Sequence, residues 1–337
     1  MIESMFYEKL DDNLVNCNLC SHRCSRIAGS KRGICGVREN RDGELYSLVY
    51  GKVVARSVDP IEKKPLFNFL PGSQSYSIAT VGCNFHCDNC QNYDISQLPK
   101  KRGTIVGEDT SPEAIILAAK LSNCESIAYT YSEPTIFFEY AYDIAKRAKN
   151  LGIKNVFVTN GYITPEALRE ISPYLNAANI DLKSFSDEFY RKICGARLQP
   201  VLDSIKLYKS LGIWIEITTL IIPTLNDSEE ELRKIAEFIK EVGEDIPWHI
   251  TQFHPTYKLI DQPRTPIAIL RKARQIGLEA GLRYVYEGNV PGENGENTYC
   301  HNCGELLIRR IGYQIMENKI KNSACPYCGT KIDGLHH

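Results

Sequence analysis

Hydrophobic residues fall into two alternating rhythms across the middle of the chain. Short β-branched and aromatic runs at 76–81 (YSIATV), 126–131 (SIAYTY), 154–159 (KNVFVT), 178–182 (ANIDL), 214–222 (WIEITTLII), 248–253 (WHITQF) and 283–287 (RYVYE) predict strands. Between them, 111–122, 135–152 and 227–243 place apolar residues at helical spacing and predict amphipathic helices. Ser111 followed by Pro112 predicts a capped helix start, while Gly152 and Gly243 predict helix stops. Strands joined by helical crossovers pair in parallel, with right-handed connections. About six such units predict an α/β core, a partial (β/α)6 TIM-like barrel over residues 71–292.

The rhythm fails at both ends. Residues 1–43 and 298–334 bear cysteines among Gly, Asn, Lys and Arg, with little periodicity. Neither segment has enough apolar residues for a core, so both are expected to be small cysteine-rich metal-binding modules. Residues 44–70, with the run LYSLVYGKVVARSV, predict a hairpin or edge connector between the first module and the core.

Composition narrows the function classes. The 337 residues are 43% hydrophobic with a formal charge of −1, which removes any general attraction for nucleic acid or anionic lipid. No apolar run approaches the ~20 residues of a membrane span. The start, MIESMFYEKLDDN, lacks the basic residues and apolar run of a secretory signal, so the expected location is the cytoplasm. His336 and His337 are assigned no role.

Thirteen cysteines in a reduced compartment point to metal rather than disulfides. They form three groups, with Cys124 and Cys194 standing apart as buried thiols, Cys194 also a candidate radical relay. Cys83, Cys87 and Cys90 follow the first core strand at C-x3-C-x2-C spacing. Thiolates suit iron–sulfur clusters or zinc, and a four-iron cluster on three cysteines keeps one iron open for chemistry. Cys300, Cys303, Cys325 and Cys328 form two C-x2-C knuckles, each followed by glycine, as in a zinc ribbon. Cys17, Cys20, Cys24 and Cys35, with His22 among them, suit either zinc or a second iron–sulfur cluster.

In a parallel barrel, chemistry gathers at the C-terminal strand ends. Those ends read Ser132-Glu133-Pro134, Thr159-Asn160-Gly161, Asp181-Leu182-Lys183, His254 in QFHP, and Glu287-Gly288-Asn289. A strand-end lysine is suited to pair with a ligand carboxylate. His254 reads equally well as a pocket residue or as a structural histidine.

The three-thiol loop resembles the signature of the radical S-adenosylmethionine (radical SAM) superfamily. That resemblance implies a 4Fe–4S cluster on Cys83, Cys87 and Cys90 that reductively cleaves SAM to methionine and a hydrogen-abstracting 5′-deoxyadenosyl radical. It implies SAM contacts at Ser132, Glu133, Pro134, Thr159, Asn160, Asp181, Lys183 and His254. The position before the third cysteine, often aromatic in the superfamily, is Asn89. The TNG and DLK segments resemble the pyruvate formate-lyase activating enzymes, which implies Lys183 on the SAM carboxylate and Asp181 beside a cation. Val158 stands where those enzymes usually have Asp, which removes one cation ligand. CNLCSHRC, GICGVREN, AYTYSEPTIF, DLKSF, PWHITQFHP, YVYEGNVPGENGENTYC and the closing cysteine pairs resemble the AmmeMemoRadiSam system radical SAM enzymes. That family implies association with AMMECR-type and Memo-type proteins, and its chemistry implies a reductase, flavodoxin or ferredoxin as electron donor. The substrate is left open, a small molecule or a protein. The alternatives are a glycyl-radical enzyme activase and, more remotely, a zinc-binding protein without catalysis.

Overall fold

A computed structural model describes residues 1–290 and 294–336. Its centre is one eight-stranded sheet whose strands neighbour each other in chain order. β1 (Ala55–Pro60) runs antiparallel to β2 (Gln74–Ala79). From β2 the sheet continues in parallel through β3 (Ser126–Tyr129), β4 (Lys154–Thr159), β5 (Ala177–Asp181), β6 (Trp214–Ile221), β7 (Trp248–Gln252) and β8 (Val285–Gly288). β1 and β8 are its edges.

Each parallel step is bridged by a helix. These are α1 (Pro112–Leu121), α2 (Phe138–Asn150), α3 (Pro165–Ile171), α4 (Gln199–Ser210), α5 (Glu229–Val242) and α6 (Ile267–Glu279). The expected Ser111 cap forms: its hydroxyl accepts from Ala114 N at 3.2 Å. α5 buries Leu232, Ile235, Ala236, Phe238 and Ile239 against the sheet and turns its charged face outward. The helix expected over 135–152 begins instead as a 3₁₀ turn, Pro134–Phe137, before α2. Glu133 causes the break, because its carboxylate accepts from Thr135 N at 3.0 Å. α3, α4 and α6 supply the remaining crossovers of the expected strand–helix repeat.

The connector divides into two pairings. Glu44–Ser47 joins Ile2–Glu3 and Arg38–Arg41 in a three-stranded N-terminal sheet. After β1, the chain tucks beneath the sheet, where Phe67 N and Asn68 N donate to the buried Glu216 carboxylate at 2.9 and 2.8 Å. The C-terminal strands Thr298–Tyr299, Leu306–Ile311 and Gln314–Asn318 pack on that tuck. Arg310 donates to Phe67 O at 2.9 Å, and Leu70 N to Leu335 O at 2.6 Å. The expected core end at residue 292, and His337, lie outside the described residues.

Candidate active site at the strand ends

The chain leaves β2 through Gly82, whose φ of +106° suits glycine and whose missing Cβ would lie 2.6 Å from Val37 Cγ1. The three-thiol loop follows and is held from beneath by a distant segment. His86 N donates to Cys194 O and Asp88 N to Ile193 O, both at 3.0 Å. Phe85 is buried and meets the Tyr162 ring edge-on at 5.1 Å. Around the sulfurs, Phe85 N donates to Cys83 Sγ at 3.3 Å, and Cys90 Sγ lies 3.2 Å from Ser96 Oγ.

Burial raises the Cys83 and Cys90 thiols above the ordinary cysteine range. Cys87 is raised by its hydrogen bond with the Cys194 thiol and by burial. Iron must therefore displace protons to bind, so loading is favoured by higher pH.

All three cysteines open onto a cavity of about 520 Å³. Ser132, Glu133, Thr159, Asn160, Asp181 and Lys183 line it, so six of the eight expected contact residues converge on the thiols. Pro134 is buried at the start of the 3₁₀ turn, outside that lining. His254 is exposed and also outside it. β7 ends at Gln252 with Phe253 buried, and His254 faces away.

Glu133 is a brace between strand ends. Its carboxylate accepts from Thr135 Oγ1 (2.6 Å), Thr159 Oγ1 (2.7 Å) and Asn160 N (2.8 Å), and burial raises its pKa nonetheless. Lys183 Nζ lies 2.8 Å from Asp181 Oδ2. Burial alone would lower its pKa, but Asp181 and the Cys87 sulfur hold it well above the usual lysine value. It stays a cation, held at its backbone by Tyr190 Oη (3.0 Å) and Asn226 Nδ2 (2.7 Å).

The group implied by the motif fits these residues. Three soft donors share one cavity, and two buried polar atoms in its lining, Asn89 Oδ1 and Ser132 Oγ, lack any protein partner. Such orphans mark a place for a polar ligand.

The cavity floor was missed from sequence. Lys64 Nζ pairs with Asp59 Oδ2 at 2.7 Å and lies 4.5 Å from the Tyr131 ring centre, while Tyr131 Oη also bonds Asp59. Tyr131 has φ +61°, an uncommon state for a bulky residue, and that turn sends its ring back into the cavity. Burial lowers Lys64 to about 8 despite Asp59. A larger cavity, about 1010 Å³, lies between α6 and the C-terminal strands, and its described lining includes none of the loop thiols.

The outer quartets differ in geometry. The sulfurs of Cys300, Cys303, Cys325 and Cys328 all lie within 4.8 Å of one another, with Cys300–Cys328 at 3.6 Å and Cys303–Cys325 at 3.7 Å. Four thiolates about 2.3 Å from one tetrahedral ion would be about 3.8 Å apart. Among the described residues, the N-terminal quartet does not converge this tightly. Burial lifts Cys17 to about 11 and Cys20 well above its ordinary value, with Cys17, Cys35 and Cys24 pushing Cys20 further.

Known proteins resemble this chain in sequence and in fold. The profile of the radical SAM superfamily matches residues 77–239. An uncharacterized protein of Methanocaldococcus jannaschii is 49% identical over 99% of both chains. The pyruvate formate-lyase-activating enzyme of Clostridium pasteurianum is 25% identical, covering 61% of this chain and 89% of that enzyme. Among solved structures, a radical SAM methyltransferase from Sphaerobacter thermophilus shares the fold at TM-score 0.52 and 11% identity, over 71% of each chain. Streptococcus suis SuiB bound to S-adenosylmethionine does so at TM-score 0.51 and 14% identity, over 68% of this chain and 53% of that one. With the profile running from β2 through α5, across the three-thiol loop and the strand ends that face it, the chain belongs to the radical SAM superfamily.

Proposed function

We propose that this radical SAM enzyme binds SAM in the strand-end cavity and uses it to abstract hydrogen from a substrate held above Lys64 and Tyr131. The observation that carries the reading is the convergence of three thiols and Lys183 on one cavity with unpartnered polar atoms. When bound, a 4Fe–4S cluster on Cys83, Cys87 and Cys90 supplies the electron that breaks a carbon–sulfur bond of SAM. Lys183 turns from Asp181 to the SAM carboxylate, and Ser132 Oγ takes a polar group of the same ligand. Anaerobic reconstitution with dithionite should give 5′-deoxyadenosine and methionine, lost when all three loop cysteines become Ala. Turnover unaffected by that change ends the reading. Lys183→Ala should weaken SAM binding by about 1.5–3 kcal/mol in calorimetry, as for a charge-assisted hydrogen bond.

We further assign residues 1–43, 44–70, 71–292 and 298–334 as module, connector, partial barrel and zinc-ribbon-like module. Zinc is proposed for the C-terminal quartet, supported by its tetrahedral-sized spacing. The N-terminal quartet is proposed as zinc or a second iron–sulfur site. Iron absorbance retained by the triple cysteine variant identifies the latter, and its loss with two zincs per chain retained identifies the former. The motifs further support membership of the AmmeMemoRadiSam system, with AMMECR-type and Memo-type partners in the cytoplasm.

A second reading, a glycyl-radical activase, is favoured by similarity to the pyruvate formate-lyase-activating enzyme. Against it, the N-terminal module lies beside the strand ends, bonded to loops that frame the cavity. That placement supports a small or tightly presented substrate. A glycyl doublet in electron paramagnetic resonance, after incubation with a glycyl-radical enzyme, would decide for the activase.

A further inference from the structure

The outer surface of the cluster loop is unusual for a protein of net charge −1. His86 and the neighbouring segment 101–103 are exposed, and Lys100 Nζ donates to Phe85 O, inside the loop, at 2.7 Å. On one side Arg32 donates to Gly103 O at 2.9 Å, which brings Lys31 and Arg32 of the N-terminal module alongside Lys100, Lys101 and Arg102. On the other side Lys258 N donates to Asp88 O at 3.1 Å. Basic residues from three distant stretches thus surround the one exposed residue of the loop, His86.

Neutralisation is incomplete. Asp88 pairs with Lys258, and Glu39 pairs with Arg32 and Arg41. Asp94 adds one exposed negative charge on the helix Tyr93–Ser96. Among the described residues, Lys31, Lys100, Lys101 and Arg102 make none of the ion pairs seen elsewhere on the surface. An apolar element lies among them. Tyr93 is 40% exposed and stacks on Tyr257 at 4.6 Å and 10°, with Lys101 Nζ 4.4 Å from the Tyr257 ring centre. Uncompensated charge around a flat aromatic pair suits a protein surface of opposite sign.

We propose that this face is the docking surface for a small acidic one-electron carrier protein, which delivers its electron to the cluster across the outer side of the loop. The inference rests on the radical SAM reading and adds the place of entry and the charge of the partner. One electron leaves the reduced carrier and enters the cluster, no atom is transferred, and the carrier departs oxidised by one electron.

The test compares two reductants on the reconstituted, full-length enzyme. With an acidic two-cluster ferredoxin as probe, Lys101→Glu/Arg102→Glu should slow cluster reduction about tenfold or more. Raising ionic strength should slow the wild type toward the variant, because salt screens the attraction. Dithionite, a small reductant with no docking requirement, should drive SAM cleavage equally in both. Lys31→Glu, in the other module, should slow the ferredoxin reaction in the same sense and guards against a local folding defect in the first variant. Ferredoxin rates that match wild type in both variants and do not respond to salt would overturn the proposal. Failure of dithionite to support SAM cleavage in the wild type would instead overturn the radical SAM reading.

Discussion

The two cysteine quartets are built on opposite ends of the sheet and in opposite ways. The N-terminal one packs at the C-terminal strand ends. Ser21 N bonds Tyr162 O at 3.1 Å, Thr164 N bonds Leu19 O at 3.1 Å, and His22 Nε2 reaches Asn84 O, inside the cluster loop, at 2.8 Å. The C-terminal quartet belongs to strands packed on the tuck beneath the sheet, far along the fold from those loops. One is open in its sulfur spacing and bonded to the three-thiol loop, whereas the other is tight and lies beneath the sheet. Cysteine count alone does not separate the two quartets, but the groups each one bonds to do.

The contrast can be broken experimentally, starting with the strongest attachment. Arg38, on the N-terminal sheet, forms a buried two-pronged pair with Glu139 of α2, at 2.9 and 2.5 Å. Arg38→Ala leaves Glu139 charged and uncompensated, so chemical denaturation should show a loss of about 3–5 kcal/mol. If this pair ties the module to the site, SAM cleavage should fall with it under native conditions. Cys325→Ala comes next: it should release one zinc by elemental analysis and lower Tm by roughly 5–10 °C while the loop cluster's absorbance persists. Loss of both together would mean the two ends are coupled.

The smallest effect tests the contact with the cluster loop. Burial lowers the pKa of His22, so the folded chain binds its proton less readily than the unfolded chain. Stability from this group is complete above the ordinary histidine value, about 6.5, and is lost as pH falls through and below it. His22→Leu, which has no donor, should lose about 1 kcal/mol at neutral pH, with a shallower decline on acidification, read from denaturation midpoints across pH.

Much of the core was legible because its signals are local. β4 matches its run residue for residue at 154–159, and α5 lies inside the expected 227–243. The run at 76–81 was displaced by two, since Thr80 and Val81 remain buried while the ladder ends at Ala79. Six of the strand-end residues share one cavity because a parallel sheet brings C-terminal ends together whatever the helices do. Lys64 and Tyr131 were invisible for the opposite reason. Lys64 sits in a segment without periodicity, and Tyr131 enters the cavity only through a left-handed backbone turn. His254 lies outside the cavity lining, exposed two residues past the end of β7.

The support beneath the cluster loop has a consequence for how the protein is made. His86 and Asp88 hang from Cys194 and Ile193, and Gly195 lies so close under the His86 ring that any Cβ there would overlap it. On the ribosome, the loop thiols emerge long before that shelf is synthesised. They must wait as free, oxidisable thiols until α3, β5 and the 190–195 turn have folded behind them. Iron delivered to the nascent chain would find flexible thiols, and iron delivered after release would find a shaped site. The shaped form of the three-thiol loop therefore requires residues more than a hundred positions downstream to be in place.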